Sequence, residues 1–237
     1  MITGREAAAA LALLAALTLL VFLPALDPGA VFYFRDVSQN HHPYRQLTMA
    51  MLEAGEAPLW NPLRGAGQPL MANPNALVLH PTTLLFLALP FAWAFKAAII
   101  GQVFLAAAGT WLLLRDIGAG RAASVLGGGL FAFSGYVVSL GNLINLLDAA
   151  AFMPLTLLLA GRALTRGFSP WGPAAALSLA VQMLAGEPAI LIATGLALAG
   201  LHWSHPRPQG RRPASLLAAG TAAAGIAALA AALAMAG

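Results

Sequence analysis

Residues 77–114 read LVLHPTTLLFLALPFAWAFKAAIIGQVFLAAAGTWLLL, and the way this stretch divides sets the number of membrane crossings. Two divisions compete. A crossing at 77–95 followed by another at 97–114 leaves only Lys96 as the turn between them. Yet Ala92-Trp93-Ala94-Phe95-Lys96-Ala97-Ala98 holds no Gly, Pro or Asn to reverse the chain, and reads as uninterrupted helix. Pro90 suits the first position of that helix, where its missing N–H costs nothing. The 14 residues of 77–90 have the length of a re-entrant or interfacial piece. We therefore read one crossing at 91–114, with Lys96 reaching the nearby interface along its aliphatic stem.

Working outward, further apolar runs occupy 7–26, 122–140, 145–162, 172–186, 188–203 and 214–236. Most approach the roughly 20 residues a helix needs to cross about 30 Å of hydrocarbon. Hydrophobic residues make up 60% of the chain and charged residues 8%, where a soluble domain carries about 25% charged. A water-soluble fold is excluded. No alternating strand pattern occurs, so a transmembrane β-barrel is not expected. The expected class is all-α: a polytopic transmembrane helical bundle, one domain over 1–237, with 27–90 as a long loop containing short interfacial helices.

The net charge is +4, but the arginines are scattered between apolar runs and form no basic patch, so nucleic acid is not an expected partner. In a membrane protein such charges set topology. With the N-terminus in the cytoplasm, Arg5, Arg115, Arg121, Arg162, Arg166, Arg207, Arg211 and Arg212 lie inside, against Glu6 and Asp116. Arg35, Arg45, Arg64 and Lys96 lie outside, with Asp27, Asp36, Glu53, Glu56, Asp148 and Glu187. The division with a crossing at 77–95 also satisfies this rule, with the N-terminus outside, and the missing turn at Lys96 decides against it. The 7–26 run is longer than a signal-peptide core, and Pro24-Ala25-Leu26-Asp27 lacks a small-x-small cleavage site, so it reads as a retained anchor. There is no cysteine, which removes disulfide and thiolate chemistry. Seven crossings ending at Gly237 without a flanking charge read as the N-terminal part of a longer multi-pass protein.

Six of the eight acidic residues thus converge on the outer face. The 27–76 segment runs through Tyr33-Phe34-Arg35-Asp36, Asn40-His41-His42-Pro43, Pro58-Leu59-Trp60-Asn61-Pro62 and Gly65-Ala66-Gly67-Gln68-Pro69. Large apolar residues between Pro and Gly turns predict an ordered loop. A short helix is expected from about Tyr44 to Ala54, with His42 as its cap, Pro43 at its first position and Gly55 ending it. Tyr44, Leu47 and Met51 share one face, which predicts that this helix lies on the membrane surface.

Three parts of the chain resemble YfhO-like bacterial membrane proteins. The loop carries Pro58-Leu59-Trp60-Asn61-Pro62, Gly67-Gln68-Pro69-Leu70, Ala72-Asn73-Pro74 and His80-Pro81. The bundle carries Leu130-Phe131-Ala132-Phe133-Ser134-Gly135 with Phe152-Met153-Pro154-Leu155, and Gln182-Met183-Leu184-Ala185-Gly186-Glu187-Pro188. That family belongs to the GT-C superfamily of multi-span glycosyltransferases, which use polyprenyl-phosphate-linked sugars outside the cytoplasm. The resemblance implies a GT-C bundle in the bacterial cytoplasmic membrane. It also implies an extracytoplasmic active face, a cell-envelope acceptor and a cytoplasmic-side enzyme that loads the carrier lipid. An acidic residue early in the first outer loop is the family's catalytic group, and Asp36 occupies that place. Glu187 stands where the family usually has His, and His80 where it has Tyr.

Such a transfer needs a base for the incoming hydroxyl and positive charge or a metal for the departing phosphate. Asp36 is the candidate base; its alternative is pairing with Arg35 or Arg45 to fold the loop. Arg35, Arg64 and Lys96 are the candidate phosphate cations, each also a natural interface anchor. His41 and His42 suggest substrate or metal contacts, but adjacent residues rarely aim at one ion, and no Asp-x-Asp pair is present to hold magnesium or manganese. Asn61 and Asn73 precede prolines, so turn formation competes with sugar binding. Asp148, near the outer end of its span, and Glu187, in a Gly-Glu-Pro break, are candidate acceptor-binding groups because ionisable side chains at membrane depth are costly. His80 joins them. Gly127-Gly128-Gly129 reads as helix packing through small residues. The competing functions are a lipid or solute transporter or flippase, whose mark is buried charge at mid-membrane, and a GT-C scaffold that has lost activity.

Overall fold

The computed structural model describes residues 3–204; the expected crossing at 214–236 lies outside them. The described residues form a helical bundle. Four helical stretches are long and apolar enough to cross a membrane, namely Gly4–Val21, Phe91–Asp116, Arg121–Asn142 and Ile144–Arg166. By length and composition the chain is therefore a multi-pass membrane protein.

Helix α1 (Gly4–Val21) opens under a cap in which the Thr3 hydroxyl accepts from the Glu6 N–H. It ends in a 3-10 turn, Leu23–Leu26, at Pro24. The loop follows. It contains a π-helical turn (Val37–His41), α2 (His42–Glu53), a two-residue ribbon pairing β1 (Trp60–Asn61) with β2 (Gln68–Pro69), and α3 (Thr83–Ala88). Leu89 is extended and Pro90 starts α4 (Phe91–Asp116), one continuous helix of 26 residues with Lys96 inside it. At 1.5 Å per residue it is about 39 Å long, more than the hydrocarbon core requires.

Beyond α4 come α5 (Arg121–Ala132), α6 (Gly135–Ser139), α7 (Ile144–Arg166), α8 (Phe168–Leu184) and α9 (Pro188–Ser204). The run read as one span at 122–140 stands as one candidate crossing, Arg121–Asn142, with an interruption at Phe133–Ser134. Ser134 starts a new helix by accepting the Val137 N–H on its hydroxyl, 3.3 Å away. Helix α9 is 17 residues long, and α8 is kinked at Ser169, whose φ of −97° and ψ of 130° are not helical.

Helix α4 is the spine, packed against α1, α3, α5 and α7. Its buried face carries Ala94, Ala98, Ile99, Val103, Ala106, Ala107 and Trp111, facing Leu14 of α1 and Leu147 and Ala149–Ala151 of α7. In lipid the hydrophobic effect does not drive helices together, so close approach through small residues supplies the attraction. Gly128 shows this directly: a Cβ there would sit 2.7 Å from the Ala107 carbonyl oxygen. The triglycine is therefore a packing surface between α5 and α4.

Three local expectations for the loop change. First, α2 begins directly on the π-helical turn, so His42 makes no capping hydrogen bond. Its ring instead packs on Phe95, with centroids 4.3 Å apart, and against Phe91. Second, the Tyr44, Leu47 and Met51 face of α2 meets Leu70, Ala76 and Val78 of the loop rather than lipid. The loop folds back because the ribbon and its turns place Leu70, fully buried, against Tyr44. Third, Lys96 is 2% exposed and reaches no open water. Its ammonium donates to the Asp27 carbonyl at 2.5 Å and lies over the Trp93 ring, 4.4 Å from the centroid.

Candidate functional site

The π-helical turn and α2 carry two polar stripes. Asp36, Asn40 and Tyr44 recur at four-residue spacing on one side, and Val37, His41 and Arg45 on the next. The first stripe faces the outer rim of the loop, and the second is buried against the bundle.

On the outer stripe, Asn40 donates its side-chain amide to Asp36 Oδ1 at 3.0 Å. Arg64 donates to Asn40 Oδ1 at 3.0 Å and to the Tyr44 hydroxyl, and its guanidinium sits 5.4 Å from the Tyr44 ring centroid. Gln68 donates to the same hydroxyl at 2.9 Å. Asp36 and Arg64, 28 residues apart in sequence, are thus joined through one asparagine. Arg64 reaches this position because the β1–β2 ribbon reverses the chain around it. Gly67, at φ +95°, makes that turn and lies under Trp60, where a Cβ would meet the indole at 2.5 Å.

Asp36 forms no ion pair with Arg35 or Arg45 among the described residues. Arg35 is exposed and holds a left-handed φ of 51°, which turns the chain into the π-helical segment. The side-chain oxygens of Asn61 and Asn73 are used locally: they accept the N–H of Leu63 at 2.9 Å and of Asn75 at 3.0 Å. Both asparagines therefore build turns, as their Asn-Pro context allows.

The inner stripe docks on the first turns of α7. His41 Nδ1 is 3.0 Å from the Asn75 carbonyl, and Nε2 is 3.3 Å from the Ile144 N–H. Since Ile144 can only donate, the proton is assigned to Nδ1. His41 is therefore neutral and supplies the cap that α7 lacks locally. Burial lowers its pKa to about 4, opposed by the bond to Asn75. Arg45, 2% exposed, donates to the Leu77 carbonyl at 3.3 Å, to Thr82 Oγ1 at 3.1 Å and to the Thr83 hydroxyl, with Phe86 stacked 4.8 Å away. Burial moves its pKa down to about 10 while the Asp148 charge pulls upward. It stays a cation at neutral pH.

Thr82 links Arg45 to His80 and Asp148. Its hydroxyl is 2.8 Å from His80 Nδ1 and 3.5 Å from Asp148 Oδ2, and Nδ1 itself is 3.1 Å from Asp148 Oδ2. Burial first, then Arg45, lowers the His80 pKa to about 3. With the imidazole neutral, the His80–Asp148 contact is a hydrogen bond and not an ion pair. The pair is sealed: Asp148 is 0% and His80 1% exposed, with Phe152 edge-on to the imidazole. His80 and Asp148 face protein rather than an open substrate surface.

Glu187 accepts from the Asn145 side chain, one residue into α7. Burial raises its pKa, and Asn145 opposes the shift. In the Gly186-Glu187-Pro188 break, the Gly186 N–H and the Glu187 carbonyl are both paired. Gly186, at φ +73°, bonds its N–H to the Met183 carbonyl at 2.9 Å, and the Glu187 carbonyl accepts from Leu191. Gly186 also presses on the loop, since a Cβ there would lie 2.4 Å from Pro74 Cβ.

The candidate residues therefore separate into three groups. Asp36 and Arg64 share the outer rim with Asn40, Tyr44 and Gln68. His41, His80, Asp148 and Glu187 dock the loop on α7, with Arg45, Thr82, Thr83 and Asn145. His42 and Lys96 pack at the start of α4. Among the described residues no three His, Asp or Glu side chains converge as metal ligands. Comparison with family models, with curated proteins and with solved structures gives no match.

Proposed function

We propose that this chain is the N-terminal part of a membrane glycosyltransferase that moves a sugar from a polyprenyl-phosphate carrier to an extracytoplasmic acceptor of the cell envelope. The observation that carries this reading is the Asp36–Asn40–Arg64 connection on the outer rim. It couples a carboxylate to a guanidinium, the two charges that inverting transfer requires.

In the reaction, the acceptor hydroxyl gives its proton to the Asp36 oxygen not engaged by Asn40. The hydroxyl oxygen bonds to the anomeric carbon as the bond from that carbon to the phosphate oxygen breaks. The departing polyprenyl phosphate carries away that electron pair, and Arg64, with Arg35 beside the same loop entrance, meets its charge. The Asn40 amide holds Asp36 Oδ1, which orients the carboxylate. Placement on the loop next to the end of α1 suits a lipid-borne donor that approaches from the bilayer.

The transporter reading would rest on Asp148 and His80. They lie at the loop end of α7 and are walled in by Thr82 and Phe152, which suits anchoring better than a path across the bilayer.

The test is transfer from a polyprenyl-phosphate sugar by the full-length protein and its Asp36→Asn and Arg64→Ala variants. Loss of a general base costs about 10²–10⁴-fold, and a drop of that size in Asp36→Asn is expected. Wild-type turnover in Asp36→Asn would remove Asp36 as the base. Absence of transfer in the wild type favours the inactive scaffold.

A further inference from the structure

A groove of about 700 Å³ opens between the first turns of α1 and the first turns of α5, with Trp111 of α4 as its floor. It lies at the end of the bundle opposite the 27–90 loop, since α4 runs from that loop at Phe91 to Asp116 here. We propose that it binds one anionic phospholipid, with the phosphate at the arginine rim and an acyl chain along the apolar walls.

Two independent observations point to this occupant. The first is charge. Arg5 and Arg121 line the groove, and Glu6, the acidic residue lining it, is already committed: it contacts Arg115 at 2.9 Å and Arg121 at 3.2 Å. The Glu6 side chain is 9% exposed, whereas that of Arg121 is 75% exposed. Arg5 is exposed too. Two arginines thus present charge outward while the carboxylate between them is spent inward, leaving a rim with net positive charge. Basic pockets between transmembrane helices recognise anionic headgroups in this way.

The second observation is shape. The walls are Ala9, Ala10, Leu13, Ala122, Val125 and Leu126. Alanines on both helices leave the slot between them unfilled, and Leu13 and Leu126 are 50% and 65% exposed at the outer lip. Such a slot admits a single hydrocarbon chain, and it is continuous with the bilayer. A soluble phosphate would use the rim and leave these walls bare, so the surface fits a lipid. In the proposed orientation this is the inner leaflet, where anionic lipid is met.

The experiment uses the purified chain in mild detergent, with bound lipid counted by native mass spectrometry during titration with phosphatidylglycerol or phosphatidylcholine. Wild type is expected to retain one phosphatidylglycerol in preference to phosphatidylcholine. At about 1 kcal/mol per surface arginine, Arg121→Gln should weaken retention about fivefold and Arg5→Gln/Arg121→Gln about thirtyfold. Ala9→Trp fills the slot and keeps the rim, so it should abolish retention while the melting temperature without added lipid stays near wild type. Glu6 is left in place throughout. Glycerol phosphate, which shares the headgroup chemistry, should not compete at equal concentration. Equal retention of the two lipids, an unchanged Ala9→Trp, or a second copy of the chain cross-linked through Leu13→Cys would each overturn the proposal.

Discussion

Replacing Arg45 by methionine keeps the length and apolar character of the stem and removes the guanidinium. In the wild type that group fastens α2 to the 77–83 turn through Leu77, Thr82 and Thr83, and Thr82 passes the contact to Asp148. Each hydrogen bond from a charged donor is worth about 1.5–3 kcal/mol. The methionine stem recovers part of the stacking on Phe86, so the net loss should be about 4 kcal/mol, within the range for breaking a buried charge pair. Asp148→Asn alone should cost about 2 kcal/mol, because it loses the charge that faces Arg45 and keeps most of the hydrogen bonding. The two changes together should cost about 4 kcal/mol rather than about 6, since neither then strands a buried charge. Unfolding in detergent can be followed by intrinsic fluorescence: the chain has five tryptophans, and Trp111 is 1% exposed. Strictly additive losses would refute the coupling through Thr82. A loss below 1 kcal/mol in Arg45→Met would refute the anchoring role altogether.

Acid should loosen the loop. The folded His41 has a pKa of about 4 against an ordinary 6.5, so between those values the unfolded chain binds the proton and the folded chain does not. Stability is then complete above about pH 6.5 and falls as pH drops towards 4, by at most about 1.4 kcal/mol per pH unit. His80, lowered further, acts with the same sign. His41→Gln should flatten the decline between pH 6 and 5, and an unchanged slope would show that the cap on Ile144 is not what titrates. Orientation can be read in this cysteine-free chain. Leu63→Cys, at a site 80% exposed on the outer rim, should react with an impermeant maleimide added outside cells. Ala123→Cys, at the other end of the bundle, should react only after lysis, and the reverse pattern would invert the proposed topology.

Features governed by neighbours along the chain were legible in advance. The helix through Lys96, the end of α2 at Gly55 and the Asn-Pro turns follow from local rules, and the structure reports them in those places; Pro90, expected at the first helical position, is the cap residue just before it. The fate of individual polar side chains was not. Arg45 reads as one more outer-face charge, yet it is buried and donates three hydrogen bonds, because its acceptors Leu77, Thr82 and Thr83 come from a later turn of the loop. A signal existed: His41, Arg45 and Thr48 recur at spacings of four and three, a polar stripe on a helix whose neighbouring face is apolar. Hydrophobic periodicity directed attention to Tyr44, Leu47 and Met51, and only the fold shows that this face meets the loop itself. Lys96 misled for a related reason. Its stem is long enough to reach water, but the Asp27 carbonyl lies nearer.

The cap that His41 places on Ile144 spans 103 residues, which imposes an order on biosynthesis. The loop leaves the ribosome before α4, α5 and α7 exist, so His41 emerges with its partner Ile144 unmade, and in the proposed topology it crosses the membrane in that state. Hydrated outside the bilayer, as the proposed topology has it, the segment can form α2 and its ribbon early. Its seating must wait until Asp148 has been inserted, and the contact between Pro74 and Gly186 closes later still. Truncation before Ile144 should therefore yield a loop that protease cuts readily, and extension past Pro188 should yield one that resists.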